Sequence, residues 1–383
     1  MNKKPLNILV INCDWRNLYE TDFEGLLKKM DRYLMNTDTN NFFFFSWADL
    51  NYEKSNGERF FSVHKKTIWK KFRPLFDFFS LFAIPNALKK NPFHPDIILV
   101  HDLGFLPAAK KVQKQFGGKI VLCLINMPEA LALTRKFARI KQWYSLLGEK
   151  YFIHDADIVY TLNNSMKKYT ESLGVESSKI KIFSCDTIRR DFQFIENSVK
   201  GKVREQYSIT PDKKIILSIG RLEAEKDFPR LFHILSHLNE KFILIILGEG
   251  SLLSDFRSMV KEMGLEKRVI FAGLVARENL WNYYLDADVF ILLSKSEALG
   301  LVFWEAMYMG VPCIGSMAPG IAETIGSDGE RGFLVKEKEE MVSISEKINQ
   351  CVTSNEMIAE MKKRARDYVE VQMKNNLSIN DLL

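Results

Sequence analysis

The sequence predicts an α/β protein of two doubly wound, Rossmann-like domains facing across a cleft. Three observations predict it. The chain has 383 residues, more than one hydrophobic core usually organises, so two domains of comparable size are expected. Short runs rich in Val, Ile and Leu alternate with stretches of helical spacing, the pattern of parallel strands covered by helices on both faces. These runs fall into two similar series, one in each half of the chain.

In the first series, strands are expected at Ile8–Asn12, Phe42–Trp47, Ile97–His101, Ile120–Leu124, Ile158–Thr161 and Ile180–Phe183. In the second they are expected at Lys214–Ile219, Phe242–Leu247, Val269–Ala272, Val289–Leu293 and Val311–Ile314. Between the two, Asp191–Pro211 is polar and carries no apolar run, and Pro211 and Asp212 punctuate the chain before a new strand. The resulting division is a first domain over 1–192, a linker over 193–212, a second domain over 213–355 and a closing helix over 356–383. Open parallel sheets bind ligands beyond the carboxyl ends of their strands, which directs attention to the loops there.

Composition narrows the classes. Hydrophobic residues are 46% and charged residues 27%, an ordinary folded balance. The net charge of +6 suits an anionic small ligand or an acidic surface, but Lys and Arg are scattered and no nucleic-acid-binding motif is present, so no nucleic acid partner is expected. The five cysteines (Cys13, Cys123, Cys185, Cys313, Cys351) are odd in number and include no C-x-x-C pair, which fits a reducing cytoplasm. The first apolar run is short and reads as a strand rather than a signal peptide. The longest apolar stretch elsewhere, Leu75–Ile84, falls far below the ~20 residues that span a bilayer.

Chemistry concentrates in SKSEALGLVFWEAMYMGVPCIG, residues 294–315, after the buried run VFILL. Gly300 is placed to open a helix, so the unpaired N–H groups of Leu301 and Val302 can face an anion with the helix dipole assisting. Glu305, one turn in, offers two carboxylate oxygens to the two hydroxyls of a ribose, and Glu297 in the loop can reach a sugar. On spacing alone both acids also read as solvent-facing residues of an ordinary loop and helix. Upstream, the strand KKIILSIG leads into GRLEAEKDF, which sets Gly220, Arg221 and Lys226 at the carboxyl end of the second domain's first strand. In isolation, such a surface Arg and Lys would mean little.

These residues resemble the family 4 glycosyltransferases, whose motif is filled here by Glu297, Ala298, Leu299, Gly300, Leu301, Val302, Glu305 and Ala306. LGEGSLL with Glu249, RVIFAGLV around Gly273, and APGIAETI follow in the family's order. The resemblance implies the GT-B fold and a retaining, metal-independent transfer from a UDP- or GDP-sugar, with no cofactor. It implies that Arg221 and Lys226 hold the donor diphosphate and offset the charge that grows as the glycosidic bond breaks. Glu297 would contact the sugar near the reacting carbon and Glu305 the ribose. Gly220, Glu249, Gly273, Ala298, Leu299, Gly300, Leu301 and Val302 would complete the donor site, and Gly273 would mark the turn nearest the nucleobase. The acceptor implied is a glycan or lipid-linked glycan of cell-surface polysaccharide or glycolipid biosynthesis.

The first half departs from the family. Where a Gly-Gly turn is common after the first strand, the chain reads CDWRNLYETDFEGLL, and where a His is common after the fourth strand, Ile125 or Asn126 stands. His101 and Asn126 are the acceptor-side candidates, and His101 reads equally as a structural histidine. These departures leave a second reading, a nucleotide-sugar-binding partner subunit without catalysis. Residues 65–91 interleave Lys and Arg with Trp and Phe, which suits either peripheral contact with an anionic membrane at the inner face of the cell membrane or a helix packed on the domain core. The strings Asp155–Asp157 and Asp286–Asp288 lead into buried runs and are expected to be helix-to-strand turns rather than metal ligands.

Overall fold

The computed structural model describes residues 6–11, 41–46, 59–62, 73–90, 93–101, 103–124, 150–182, 188, 191–297, 299–353 and 355–374. The chain divides into two compact units, Met1–Cys185 with Asn376–Leu383, and Asp186–Asn375.

The first unit contains β1 (Asn7–Ile11), β2 (Asn41–Ser46), β3 (Arg59–Ser62), α1 (Arg73–Lys90), β4 (Ile97–Val100), α2 (Leu106–Phe116), β5 (Lys119–Leu124), β6 (Ile158–Thr161), α3 (Asn164–Ser172) and β7 (Ile180–Ile182). Its sheet is parallel throughout, in the order β3-β2-β1-β4-β5-β6-β7. Ile97, Ile98, Leu99 and Val100 are all fully buried, as a strand covered on both faces requires. β3 was absent from the expected strands, because four residues at a sheet edge are too few to show a period.

The second unit runs α4 (Phe192–Glu196), α5 (Lys202–Gln206), β8 (Lys214–Ile219), α6 (Phe228–His237), β9 (Phe242–Leu247), α7 (Leu253–Glu262), β10 (Val269–Gly273), α8 (Arg277–Asp286), β11 (Val289–Leu292), α9 (Leu301–Tyr308), β12 (Cys313–Ser316), α10 (Pro319–Ile325), β13 (Phe333–Val335), α11 (Met341–Cys351) and α12 (Glu356–Lys374). Its parallel sheet has the order β10-β9-β8-β11-β12-β13. The chain therefore winds outward from β8 in one direction to β10, then returns and winds in the other from β11. The crevice between β8 and β11 is the topological switch point, where loops of this fold diverge and leave room for a ligand. The edge strand β13 escaped the sequence reading for the same reason as β3.

Residues 193–212, expected as a linker, belong to this second unit. They form α4 and α5, and α8 holds them. Asp286 Oδ1 accepts the Gly201 N–H at 2.5 Å and its Oδ2 accepts those of Val203 and Arg204 at 2.9 and 3.2 Å, while Asn282 Oδ1 accepts the Val199 N–H at 2.7 Å. A carboxylate from a distant helix thus caps α5, a device that no local sequence signal announces. The division at residue 185 accordingly precedes the expected one. Within the stretch expected as a closing helix, α12 packs against α9, with Trp304 edge-on to Tyr368.

The Asp-x-Asp strings are structural. Asp157 Oδ2 accepts from Gln113 Nε2 at 2.6 Å and from the Ile120 N–H at 2.8 Å, and Asp288 pairs with Arg204 and Lys214 at 2.9 and 3.1 Å. In α1, Ser80, Ile84, Ala87 and Leu88 are buried and the helix packs on α2, so the described end of the 65–91 segment serves the core. Among the described residues, no helix is long and apolar enough to cross a membrane.

Candidate functional site

At the switch point the loop after β8 carries Gly220, Arg221 and Lys226, and the loop after β11 carries Glu297 and leads to Gly300. The two loops are tied together. The Lys295 N–H donates to the Glu225 carbonyl at 2.8 Å, and Lys226 Nζ meets Glu297 Oε2 at 2.6 Å. Two residues 71 positions apart, both singled out from the sequence, are thus in contact. The Lys226 stem lies across Gly220, with its Cδ 3.5 Å from where a Cβ would stand. Arg221 is exposed and pairs with Glu225 at 2.5 Å.

The loop after β9 supports this arrangement from below. Gly248 has φ +133°, and a Cβ there would stand 2.1 Å from the Gly220 carbonyl oxygen; one at Gly250 would stand 2.3 Å from that of Leu222. LGEG, weak as a nucleotide motif, is a packing device that lets two backbones touch. The Leu222 N–H donates to the Glu249 carbonyl at 2.9 Å, and the Glu249 carboxylate lies near Gly273, whose φ is +72°.

Gly300 opens α9 in the left-handed conformation, φ +68° and ψ +45°, which only glycine adopts without cost. Its carbonyl accepts the Phe303 N–H at 2.8 Å, so helix geometry leaves the N–H groups of Leu301 and Val302 as first-turn donors. Leu299 is buried, and Ala298 lies outside the described residues.

Glu305 is not the solvent-facing residue that its spacing alone also allowed. It is 3% exposed, and each carboxylate oxygen already has a donor. Arg277 Nη1 donates to Oε1 at 2.7 Å and Tyr284 Oη donates to Oε2 at 2.8 Å. Arg277 in turn donates through Nε to Asp191 Oδ2 at 2.6 Å, which also accepts from Trp281 Nε1 at 3.2 Å. Burial opposes the Arg277 charge, but Glu305 and Asp191 more than offset it and hold the guanidinium more firmly protonated than usual. Burial, and then the Glu305 charge, push the Tyr284 hydroxyl well above the ordinary phenol range, so it stays a donor. Arg277, Tyr284 and Asp191 were missed in the sequence. The one signal was weak: Arg277 opens a helix, where the dipole disfavours a cation.

Of the acceptor-side candidates, His101 follows β4 in the first unit, is half-buried, and donates its N–H to the Ile11 carbonyl at 3.1 Å. Asn126 and the stretch replacing the Gly-Gly turn lie outside the described residues. A cavity of about 300 Å³ lies beside α5 and α8, lined by Tyr207, Leu274, Ala276 and Tyr283 among others, and none of Arg221, Lys226, Glu297 or Glu305 borders it.

Two doubly wound units, the second with cations and carboxylates converging at its switch point, define the class of the GT-B glycosyltransferases. The chain belongs to family 4 of these enzymes: the family described as glycosyl transferases group 1 matches residues 199–368, and glycosyltransferase family 4 matches residues 42–185. It is 28% identical over 235 residues to the N-acetyl-alpha-D-glucosaminyl L-malate synthase of Bacillus anthracis, a match covering 59% of this chain and 58% of that protein, less than two thirds of its length. The fold is similar to sucrose-phosphate synthase from Thermosynechococcus elongatus, with a TM-score of 0.76 and 18% identity over 96% of this chain and 95% of that one. It is also similar to Anabaena HepE solved in complex with UDP, with a TM-score of 0.71 and 17% identity over 96% of each chain.

Proposed function

We propose that this protein is a retaining glycosyltransferase that takes a sugar from a UDP- or GDP-sugar and passes it to a glycan or lipid-linked glycan hydroxyl, without a metal ion. The observation that carries the reading is the convergence of Lys226, Glu297 and the Gly300 turn of α9 at one switch point. The N–H groups opening α9, with Lys226 and Arg221, are placed to receive a diphosphate. They offset the charge that the diphosphate gains as its bond to the sugar breaks, the role a divalent cation plays elsewhere. Lys226 exchanges Glu297 for a phosphate oxygen, which frees the Glu297 carboxylate for the sugar. In the transfer, the bond from the anomeric carbon to the diphosphate oxygen breaks and a bond from the acceptor oxygen forms on the same face. The acceptor proton passes to the departing phosphate. UDP in the similar Anabaena structure favours a uridine donor.

The test is calorimetric titration of the protein, in EDTA, with UDP, GDP and their sugar derivatives, repeated on Arg221→Ala and Lys226→Ala variants and followed by mass analysis of products with polyprenyl- and glycan-linked acceptors. Micromolar binding that the variants lose, with transfer of one sugar, is expected. Binding without transfer to any acceptor would move the assignment to a partner subunit, and absence of binding would remove the donor site.

A further inference from the structure

Resting on the donor-site reading, we infer that Arg277 is a positioning residue that fixes the Glu305 carboxylate for the two ribose hydroxyls of the donor, with Asp191 as its anchor. A carboxylate has about four acceptor positions on its two oxygens. Arg277 occupies one on Oε1 and Tyr284 one on Oε2, so each oxygen keeps one, and two vicinal hydroxyls need one on each. The arrangement solves a physical problem. At 3% exposure, Glu305 is screened from water, and a buried carboxylate needs donors supplied by the protein to hold its direction.

Arg277 supplies the missing charge with a planar fork. Its Nε is held by Asp191 at 2.6 Å while Nη1 reaches Glu305 at 2.7 Å, so the guanidinium plane, and with it the direction of Oε1, is set from both ends. Asp191 is itself buried and held by Trp281. The guanidinium also lies 5.5 Å from the Trp281 ring centre, which restricts it further. Three segments far apart in sequence therefore meet at the Arg277 guanidinium: the residue preceding α4, α8 and α9.

The experiment compares dissociation constants of UDP with 2′-deoxy-UDP, and of GDP with 2′-deoxy-GDP, for the wild type and for Glu305→Ala, Arg277→Ala, Arg277→Met and Asp191→Asn. A hydrogen bond to a charged acceptor is strong enough that the wild type should prefer the ribonucleotide by about tenfold or more. Glu305→Ala should abolish that preference. Arg277→Ala should reduce it to about twofold or less with Glu305 still present, and Asp191→Asn should give an intermediate value. Arg277→Met keeps the aliphatic stem against Trp281 and carries the same expectation should the alanine variant not fold. In turnover, the Arg277 variants should raise the donor KM far more than they lower kcat. Loss of the preference in Glu305→Ala but full retention in both Arg277 variants would overturn the inference alone. An undiminished preference in Glu305→Ala would overturn the donor-site reading and the inference together.

Discussion

Gly248→Ala tests whether the donor loop depends on contact between two backbones. The added Cβ would stand 2.1 Å from the Gly220 oxygen, where ordinary contact begins near 3.4 Å. The loop must therefore retreat by roughly 1.3 Å, far up the repulsive wall. It is not free to do so, because the Gly220 N–H is bonded to the Leu247 carbonyl at 3.0 Å and the Gly248 N–H to that of Gly273 at 2.8 Å. Strain at φ +133° costs about 1–3 kcal/mol, and losing one of the two backbone bonds about 1 kcal/mol more. The expected destabilisation is about 2–4 kcal/mol. Gly264→Ala is the control: it also has positive φ, +66°, but nothing lies within 4 Å of its added Cβ, so only about 1–2 kcal/mol of left-handed strain is expected. Urea titration followed by circular dichroism measures both, and calorimetry with UDP reads the site. Gly248→Ala should also weaken UDP binding at least tenfold, since Gly220 precedes Arg221 and underlies Lys226. Equal stabilities of the two variants, with wild-type UDP affinity in both, would refute the reasoning.

The Lys226–Glu297 pair predicts opposite signs for its two members. Lys226→Ala should weaken UDP binding by about tenfold or more by removing a charge-assisted contact, whereas Glu297→Gln should leave UDP binding equal or tighter while transfer falls; calorimetry beside a product assay separates them. Asp286→Ala removes the cap of α5, so urea unfolding should show a loss of about 1–2 kcal/mol, and added Mn²⁺ should leave the wild-type melting temperature unchanged. Burial pushes the Cys123 and Cys351 thiols up to about 12 from 9.0. Their contribution to stability is therefore complete below pH 9 and lost as pH rises toward 12, by at most about 1.4 kcal/mol per pH unit for each thiol. Urea midpoints that stay flat between pH 8 and pH 11 would contradict that burial.

How much was legible in the sequence follows from which interactions are local. The strand runs from Ile97 and Phe242 onward, the doubled α/β series, the loops bearing Arg221, Lys226 and Glu297, and the helix bearing Glu305 could be read directly. Strand apolarity, helix periodicity and a glycine opening α9 are properties of neighbouring residues, and a parallel sheet directs its strand ends to one edge. The edge strands β3 and β13 could not, because three or four residues carry no measurable period. Only the tertiary structure decided that 193–212 is held as part of the second unit, since Asp286 caps it from 82 to 85 residues away. Only the tertiary structure paired Lys226 with Glu297, turned LGEG into a contact with Gly220 and Leu222, and enclosed Glu305 between Arg277 and Tyr284. A sequence shows which residues can bear charge, but a buried carboxylate is defined by the donors that folding brings to it, and those come from strand order rather than from neighbours along the chain.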